Sequence, residues 1–405
     1  MEENRNKINS FELIAIHFKN ELKSIFTDSG ALLILIGAML IYPLVYSIGY
    51  FNETLTDLEI AVVDLDQTVA SRKYTGMLDA SAELKVVCKP EDLRGAEQLF
   101  MDNKINGVIL IPKGFAKDVL SGKQANVAVY ADGSYFLKYK TQYTAASYVN
   151  AYFSGGIAVK RYMAEGKSFE QAQTCNNPLD VQTHVLYNPA SAYGSFVMPG
   201  LILIIIQQTL LIGIGILGGS FSESKASPFL LAGKKRAKEV IPLLMGKAGA
   251  YILLSLFNIC VAVILVHSWF EYPDKAVIMD VLMLLFPFLL SVIFLGIGLS
   301  TLFKHRESAI VFMVFLSPIA LFLSGISWPV SAMPEWLTGL SKLLPGTTAV
   351  PAYLRLRIMG VGLGDVKPEL FFLYGQAALY AVLTLGCFFF RVYSDGAKTK
   401  DLLHN

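Results

Sequence analysis

Five cations crowd one short polar stretch: Lys225, Lys234, Lys235, Arg236 and Lys238 fall within residues 219–247, between two long apolar runs. Positive charge in short loops favours the cytoplasmic side of a membrane, so this loop is expected inside. In a bundle that carries no nucleotide site, such a loop is where an external motor can push. The plainer reading is that its charges only fix topology. Glu223, Lys234, Lys235, Arg236, Lys238 and Lys247 are the residues placed at this coupling surface. Catalytic constellations are scarce. No G-x-x-x-x-G-K-[ST] phosphate loop occurs; Gly166-Lys167-Ser168 supplies the ending, but Arg161 stands where the first glycine is needed. Asp64 and Asp66 have a spacing that suits a cation, although capping a turn is the common duty of such a pair. The five histidines, His17, His184, His267, His305 and His404, show no ligand spacing, and no metal site is expected. Cys88 and Cys175 are candidates for a disulfide in an oxidising compartment. Cys260 and Cys387 lie in apolar runs and read as small apolar fillers.

Three amides sit inside those runs: Gln207, Gln208 and Asn258. Amides are costly in hydrocarbon unless hydrogen-bonded. They are either glue between helices or, for one of the glutamines, a group facing a substrate route at a dimer seam. Gln207 and Gln208 are adjacent, so their side chains point about 100° apart and cannot share one direction. No ionisable residue lies deep in any run, which argues against coupling to protons or ions.

The elements that position these groups follow from hydropathy. Hydrophobic residues make up 54% of the 405 residues and charged ones 16%, too apolar a balance for an ordinary soluble domain. Runs near 31–50, 196–218, 248–266, 278–302, 309–327 and 370–390 are each long enough to cross about 30 Å of hydrocarbon as a helix, and Pro43 should kink the first. The polar, mixed-charge start argues against a cleavable signal peptide. Residues 10–26 place Leu13, Ile14, Phe18, Leu22 and Ile25 on one helical face, which suits a helix lying in the membrane interface. Segments assigned inside carry fourteen Lys and Arg against five in the short outside segments, so both termini are expected in the cytoplasm.

The chain therefore divides into an interfacial helix (1–30), a first span (31–50), an external domain (51–195), a five-helix region (196–391) and a tail (392–405). The fold class is an α-helical integral membrane protein of six spans with an α/β domain inserted after the first. Within residues 58–131 strands alternate with helices, as in a mostly parallel sheet. A helix opened by Pro112, a long helix over 134–165 and a strand over 181–187 complete the expected domain.

Residues 323–360 are apolar but broken by Pro329, Pro334, Pro345 and Pro351, so they cannot form one straight span; 328–360 is expected as an external hairpin with Trp328 and Trp336 at headgroup depth. Ser324, Gly325, Pro329, Met333, Pro334, Trp336, Pro345, Arg355 or Arg357, and Gly360 follow a pattern similar to that of ABC permeases of the type-2 exporter family. Gly246-Lys247 resembles the start of that family's third span, and residues 62–134 resemble the external domain of its larger members. The resemblance departs at Ser222-Glu223-Ser224-Lys225, where the family commonly reads E-R-E-x-G-T.

That resemblance implies a transport subunit without its own ATPase site, moving a drug, lipid or glycolipid outward. It binds no cofactor itself; ATP and Mg are used by a cytoplasmic ATPase partner. A second permease chain, the lipid bilayer and a periplasmic adaptor complete the implied partners, with no nucleic acid, in a bacterial inner membrane. The alternative is a non-transporting scaffold or receptor that binds a partner through its external domain.

Overall fold

The computed structural model describes residues 9–52, 54–179, 181–189, 191–224, 229–231 and 236–404, with the side chains of 265 and 394–404 left aside. Two compact units result: Thr54–His184, and the chain on either side of it.

In the helical unit, six helices among the described residues are long and apolar enough to cross a membrane. They are Ser29–Gly49 (span 1), Tyr193–Glu223 (span 2), Arg236–Trp269 (span 3), Ile278–Ser300 (span 4), Arg306–Leu323 (span 5) and Leu363–Tyr393 (span 6). Spans 2, 3 and 6 outrun their apolar stretches, because helical hydrogen bonding does not stop where hydrocarbon does. Pro43 deprives span 1 of a donor, and a π-helical stretch, Leu33–Ala38, lies one turn before it. Span 2 is the centre. It is buried along nearly its whole length and packs on spans 1, 4 and 5.

The N-terminal helix, Ser10–Thr27, packs on span 3. Its buried stripe is Leu13, His17, Glu21 and Ile25, rotated from the apolar face that hydropathy selects. Two ionisable residues go inward because each meets a partner there. Gly246 permits the contact: a Cβ at that position would stand 2.8 Å from the Ile14 carbonyl and 2.6 Å from the His17 Cβ.

The expected hairpin over 328–360 forms a 3₁₀ turn, Val330–Ala332, then helices Glu335–Ser341 and Pro345–Leu354. The last is buried against spans 2 and 4, so the segment re-enters the bundle rather than staying outside it. Pro329, Pro334 and Pro345 each open one of these helical pieces, where a missing N–H costs nothing.

The α/β unit holds β1 (Leu58–Asp64), β2 (Leu84–Cys88), β3 (Gly107–Ile111) and β4 (Ala128–Ala131) in the order β2-β1-β3-β4. The first three are parallel and β4 is antiparallel to β3. Ile60, Val62 and Ile109 face helices Val69–Asp79, Phe115–Ser121 and Phe136–Ala164, whereas Ala61, Val63 and Val108 face Leu93–Met101. Two expectations need correction. Residues 181–187 form no strand, since alternation alone supplies no ladder partner, and the helix expected to open at Pro112 begins at Phe115 behind Gly114 (φ +84°).

Candidate functional site

A cavity of about 400 Å³ lies between spans 1, 2 and 5. Tyr42 and Tyr46 of span 1, Gln208 and Thr209 of span 2, and Ser317 of span 5 give it a few polar groups in an otherwise apolar wall. Among the described residues no acidic or basic side chain lines it. The cavity suits an apolar body carrying neutral hydrogen-bonding groups. Both amide atoms of Gln208 are buried there without a hydrogen-bond partner among the described residues.

The other two amides belong elsewhere. Gln207 is fully buried, and its Oε1 accepts the Gly346 N–H at 2.7 Å. Gly346 is the second residue of helix Pro345–Leu354, so Gln207 satisfies one of the donors that a helix start leaves orphaned. The Asn258 Nδ2 donates to the Leu35 carbonyl at 2.7 Å, inside the π-helical stretch of span 1. Gln207 and Asn258 are therefore ties between helices, and only Gln208 reaches the cavity.

The residues assigned to coupling separate as sharply. Glu223 is exposed at the end of span 2 and reaches across to span 5: its Oε1 accepts the Arg306 backbone N–H at 2.9 Å and lies 3.6 Å from the His305 Nδ1, capping span 5. Lys247 pairs with Glu21 at 2.5 Å, and Glu21 also accepts from the Tyr251 hydroxyl at 2.6 Å. The Lys247–Glu21 pair is an internal tie, whereas Glu223 stays at the surface while it holds span 5. Lys238 is exposed and Arg236 half-buried at the start of span 3; Lys234 and Lys235 lie outside the described residues.

Around these ties the structure adds groups that hydropathy passes over. His17 meets Glu239 at 2.8 Å, and Glu239 accepts the backbone N–H groups of Leu230 and Leu231, holding the end of the polar loop against span 3. Arg306 grips both carboxylate oxygens of Asp28 at 2.8 and 2.9 Å. Burial pushes the Asp28 carboxyl up, but the Ala31 N–H and the Arg306 guanidinium outweigh it and hold the group below the ordinary carboxylate range. One signal was available in the sequence: a lysine such as Lys247, inside a helix that turns apolar, needs a carboxylate.

The residues of the 324–360 motif are spacers and staples. Ser324 is buried and donates to the Leu321 carbonyl at 2.6 Å, and Gly325 (φ +86°) turns the chain out of span 5. Trp336 is exposed. Arg355 pairs with Glu369 at 2.8 Å, tying the re-entrant segment to span 6. Arg357 is buried beside Asp274. Gly360 (φ +69°) packs against Lys275.

In the α/β unit, Asp66 accepts from the Gly114 and Ala116 N–H groups at 2.8 and 3.0 Å and from the Thr68 hydroxyl, so it caps a helix. Burial raises this carboxyl, and its hydrogen bonds to Thr68 and to the backbone at 114–116 more than offset that, leaving it below its usual value. Asp64 binds Ser71 and the N–H groups of Asp66 and Gln67. Cys88 and Cys175 are free thiols, so the disulfide weighed from sequence is not formed.

Comparison with known proteins adds lineage to this geometry. The family described as ABC-2 family transporter protein matches residues 29–385. A probable multidrug ABC transporter permease of Escherichia coli strain K12 is 21% identical over 383 residues, covering 94% of this chain and 97% of the relative. ABC transporter G family member 20 of Dictyostelium discoideum is 25% identical over 195 residues, covering 48% of this chain and 26% of that protein.

Proposed function

The chain belongs to the ABC-2 transporter family, and we propose that it is the membrane subunit of an ATP-driven exporter of hydrophobic or amphiphilic compounds. The observation that carries this reading is the cavity between spans 1, 2 and 5, with the unpaired Gln208 amide in its wall. A polar group left unpaired in hydrocarbon is expensive, and a substrate that hydrogen-bonds Gln208 recovers that cost on binding.

The chain's own part is to bind, orient and release; ATP and Mg belong to a cytoplasmic ATPase. That partner docks at the loop between spans 2 and 3, with Arg236 and Lys238 as its cationic contacts. Movement of the loop reaches the bundle through Glu223, and reaches the N-terminal helix through Glu239–His17 and Lys247–Glu21. A second permease chain covers the exposed faces of spans 1 and 5. The α/β unit is periplasmic in a bacterial inner membrane, where it is available to an adaptor, and both termini are cytoplasmic.

The test is reconstitution with the ATPase and a panel of amphiphiles. Gln208→Leu should preserve assembly while changing which compounds stimulate ATP hydrolysis. An unchanged compound profile removes Gln208 from the route.

A further inference from the structure

The inner ends of three helices meet at one side chain. Arg306 opens span 5, and its guanidinium reaches Asp28 at the start of span 1 through both carboxylate oxygens, at 2.8 and 2.9 Å. Its Nη1 also donates to the Ser220 hydroxyl near the end of span 2, at 3.3 Å, while its backbone N–H is held by Glu223 at 2.9 Å. Asp28 in turn accepts the Ala31 N–H at 2.9 Å, capping span 1. One arginine thus joins the caps of spans 1, 2 and 5.

The socket is built for it. A Cβ on Gly30 would fall 2.2 Å from the Arg306 Nη2, and one on Gly219 would fall 2.7 Å from the Arg306 Cα. A side chain on Gly30 would take the space of the guanidinium, whereas Gly219 lets span 2 come close to the backbone at the start of span 5. The side chain is 31% exposed and Asp28 17%, so the pair is shielded without being sealed. Breaking it requires rotation of one side chain.

These are the three helices that line the cavity. Ile34, Ile212 and Val314 are its lining residues nearest the clasp along spans 1, 2 and 5. They lie six, eight and eight residues from Asp28, Ser220 and Arg306, or ~9–12 Å at 1.5 Å per residue. The clasp therefore sits about two turns beneath the cavity on every wall. Only about a third of span 1 and about a fifth of span 5 is buried, against nearly nine-tenths of span 2, so the helices that must part are the outlying ones. Glu223 ends the helix of span 2, immediately before the polar loop, and a pull on that loop acts on it first.

We propose that Arg306 is the inner gate of the cavity: with its guanidinium clasped to Asp28 and Ser220 and its backbone N–H held by Glu223, it keeps spans 1, 2 and 5 together, and release of the side chain opens the cavity to the cytoplasm. This rests on the reading of the inner end as cytoplasmic and of the cavity as the transport route. Arg306 is a positioning residue; it acts on access and touches no substrate.

The test is the rate at which an impermeant maleimide labels Ser317→Cys in the full chain, in inside-out vesicles, on a background with the four native cysteines replaced. With Arg306 intact, labelling should be slow. Arg306→Ala should raise the rate at least tenfold, and Glu223→Gln by less. The exchange Asp28→Arg with Arg306→Asp should return it toward the slow rate, which general loosening of the bundle would not do. Where the alanine variant fails to accumulate, Arg306→Lys keeps the charge but loses the two-pronged bond, and an intermediate rate is expected. Unchanged labelling in Arg306→Ala or Arg306→Lys, or no recovery in the exchange, overturns the proposal. Labelling requires neither substrate nor ATPase, so it fails separately from the transport reading, which Gln208→Leu tests.

Discussion

Gln207→Leu should weaken the bundle while leaving compound selection alone. The substitution removes the acceptor of a 2.7 Å bond and leaves the Gly346 N–H buried at a helix start with nothing to bind. Orphaning a buried donor costs about 1–3 kcal/mol in proteins generally, and measured polar contacts between membrane helices reach only about 1.7, so a loss of about 1–2 kcal/mol is expected. Gly346→Ala attacks the same contact from the other side. Its Cβ would stand 2.9 Å from the Gln207 Oε1 and 3.0 Å from the Ile204 Cδ1. The double variant should be less destabilised than the sum of the two, because the substituted leucine no longer presents the oxygen that the alanine meets. The assay is thermal unfolding of purified protein in detergent, with Gln208→Leu alongside. Gln208 has no partner to lose, so its replacement should be neutral or mildly stabilising. Equal losses at the two positions, or none at Gln207, would refute the division between a tie and a cavity-lining amide.

Lys247→Met strands the Glu21 carboxylate, which is 7% exposed, and should cost on the order of 3 kcal/mol; Glu21→Gln added to it should recover part of that loss in the same unfolding assay. Asp66 holds its carboxyl below the ordinary range in the folded state, so its contribution is complete at pH 7 and is lost only as pH falls through that lowered value, below about 4. Hydrogen-exchange protection at Gly114 and Ala116 should accordingly be level from pH 5 to 8 and fall in acid, whereas Asp66→Asn should lower it at every pH. For topology, single cysteines at Lys235 and Lys398 should be shielded from an impermeant thiol reagent in intact cells, and one at Ser134 should react once the outer envelope is permeabilised; labelling of Lys235→Cys from outside contradicts the orientation.

The spans were legible because a run of about twenty apolar residues has few other uses. The sheet was legible because β1 and β3 carry near-continuous apolar runs bounded by turns. Side-chain direction on the N-terminal helix was not. Hydropathy ranks Leu22 and Phe18 above His17 and Glu21, yet the latter pair is buried, because Glu239, Lys247 and Tyr251 meet them from residues more than two hundred positions away. Pairings at that separation leave no local period to read. Glu223 was legible as the acidic residue of its loop, but its partner at Arg306 required the fold. The adjacency of Gln207 and Gln208 did carry information, since two neighbours on a helix had to divide their duties. Which of them faced the cavity depended on where helix Pro345–Leu354 re-entered, and its prolines had suggested only that the segment was broken.

The central claim is that this chain moves amphiphiles outward at the expense of ATP hydrolysed by a separate subunit. The direct measurement is uptake of a fluorescent amphiphile into inside-out proteoliposomes containing the chain and its copurified ATPase. Accumulation that requires ATP and both proteins, with altered compound preference in Gln208→Leu, is the predicted result. A chain that assembles with no ATPase, or an ATPase whose turnover leaves every amphiphile where it was, contradicts the account.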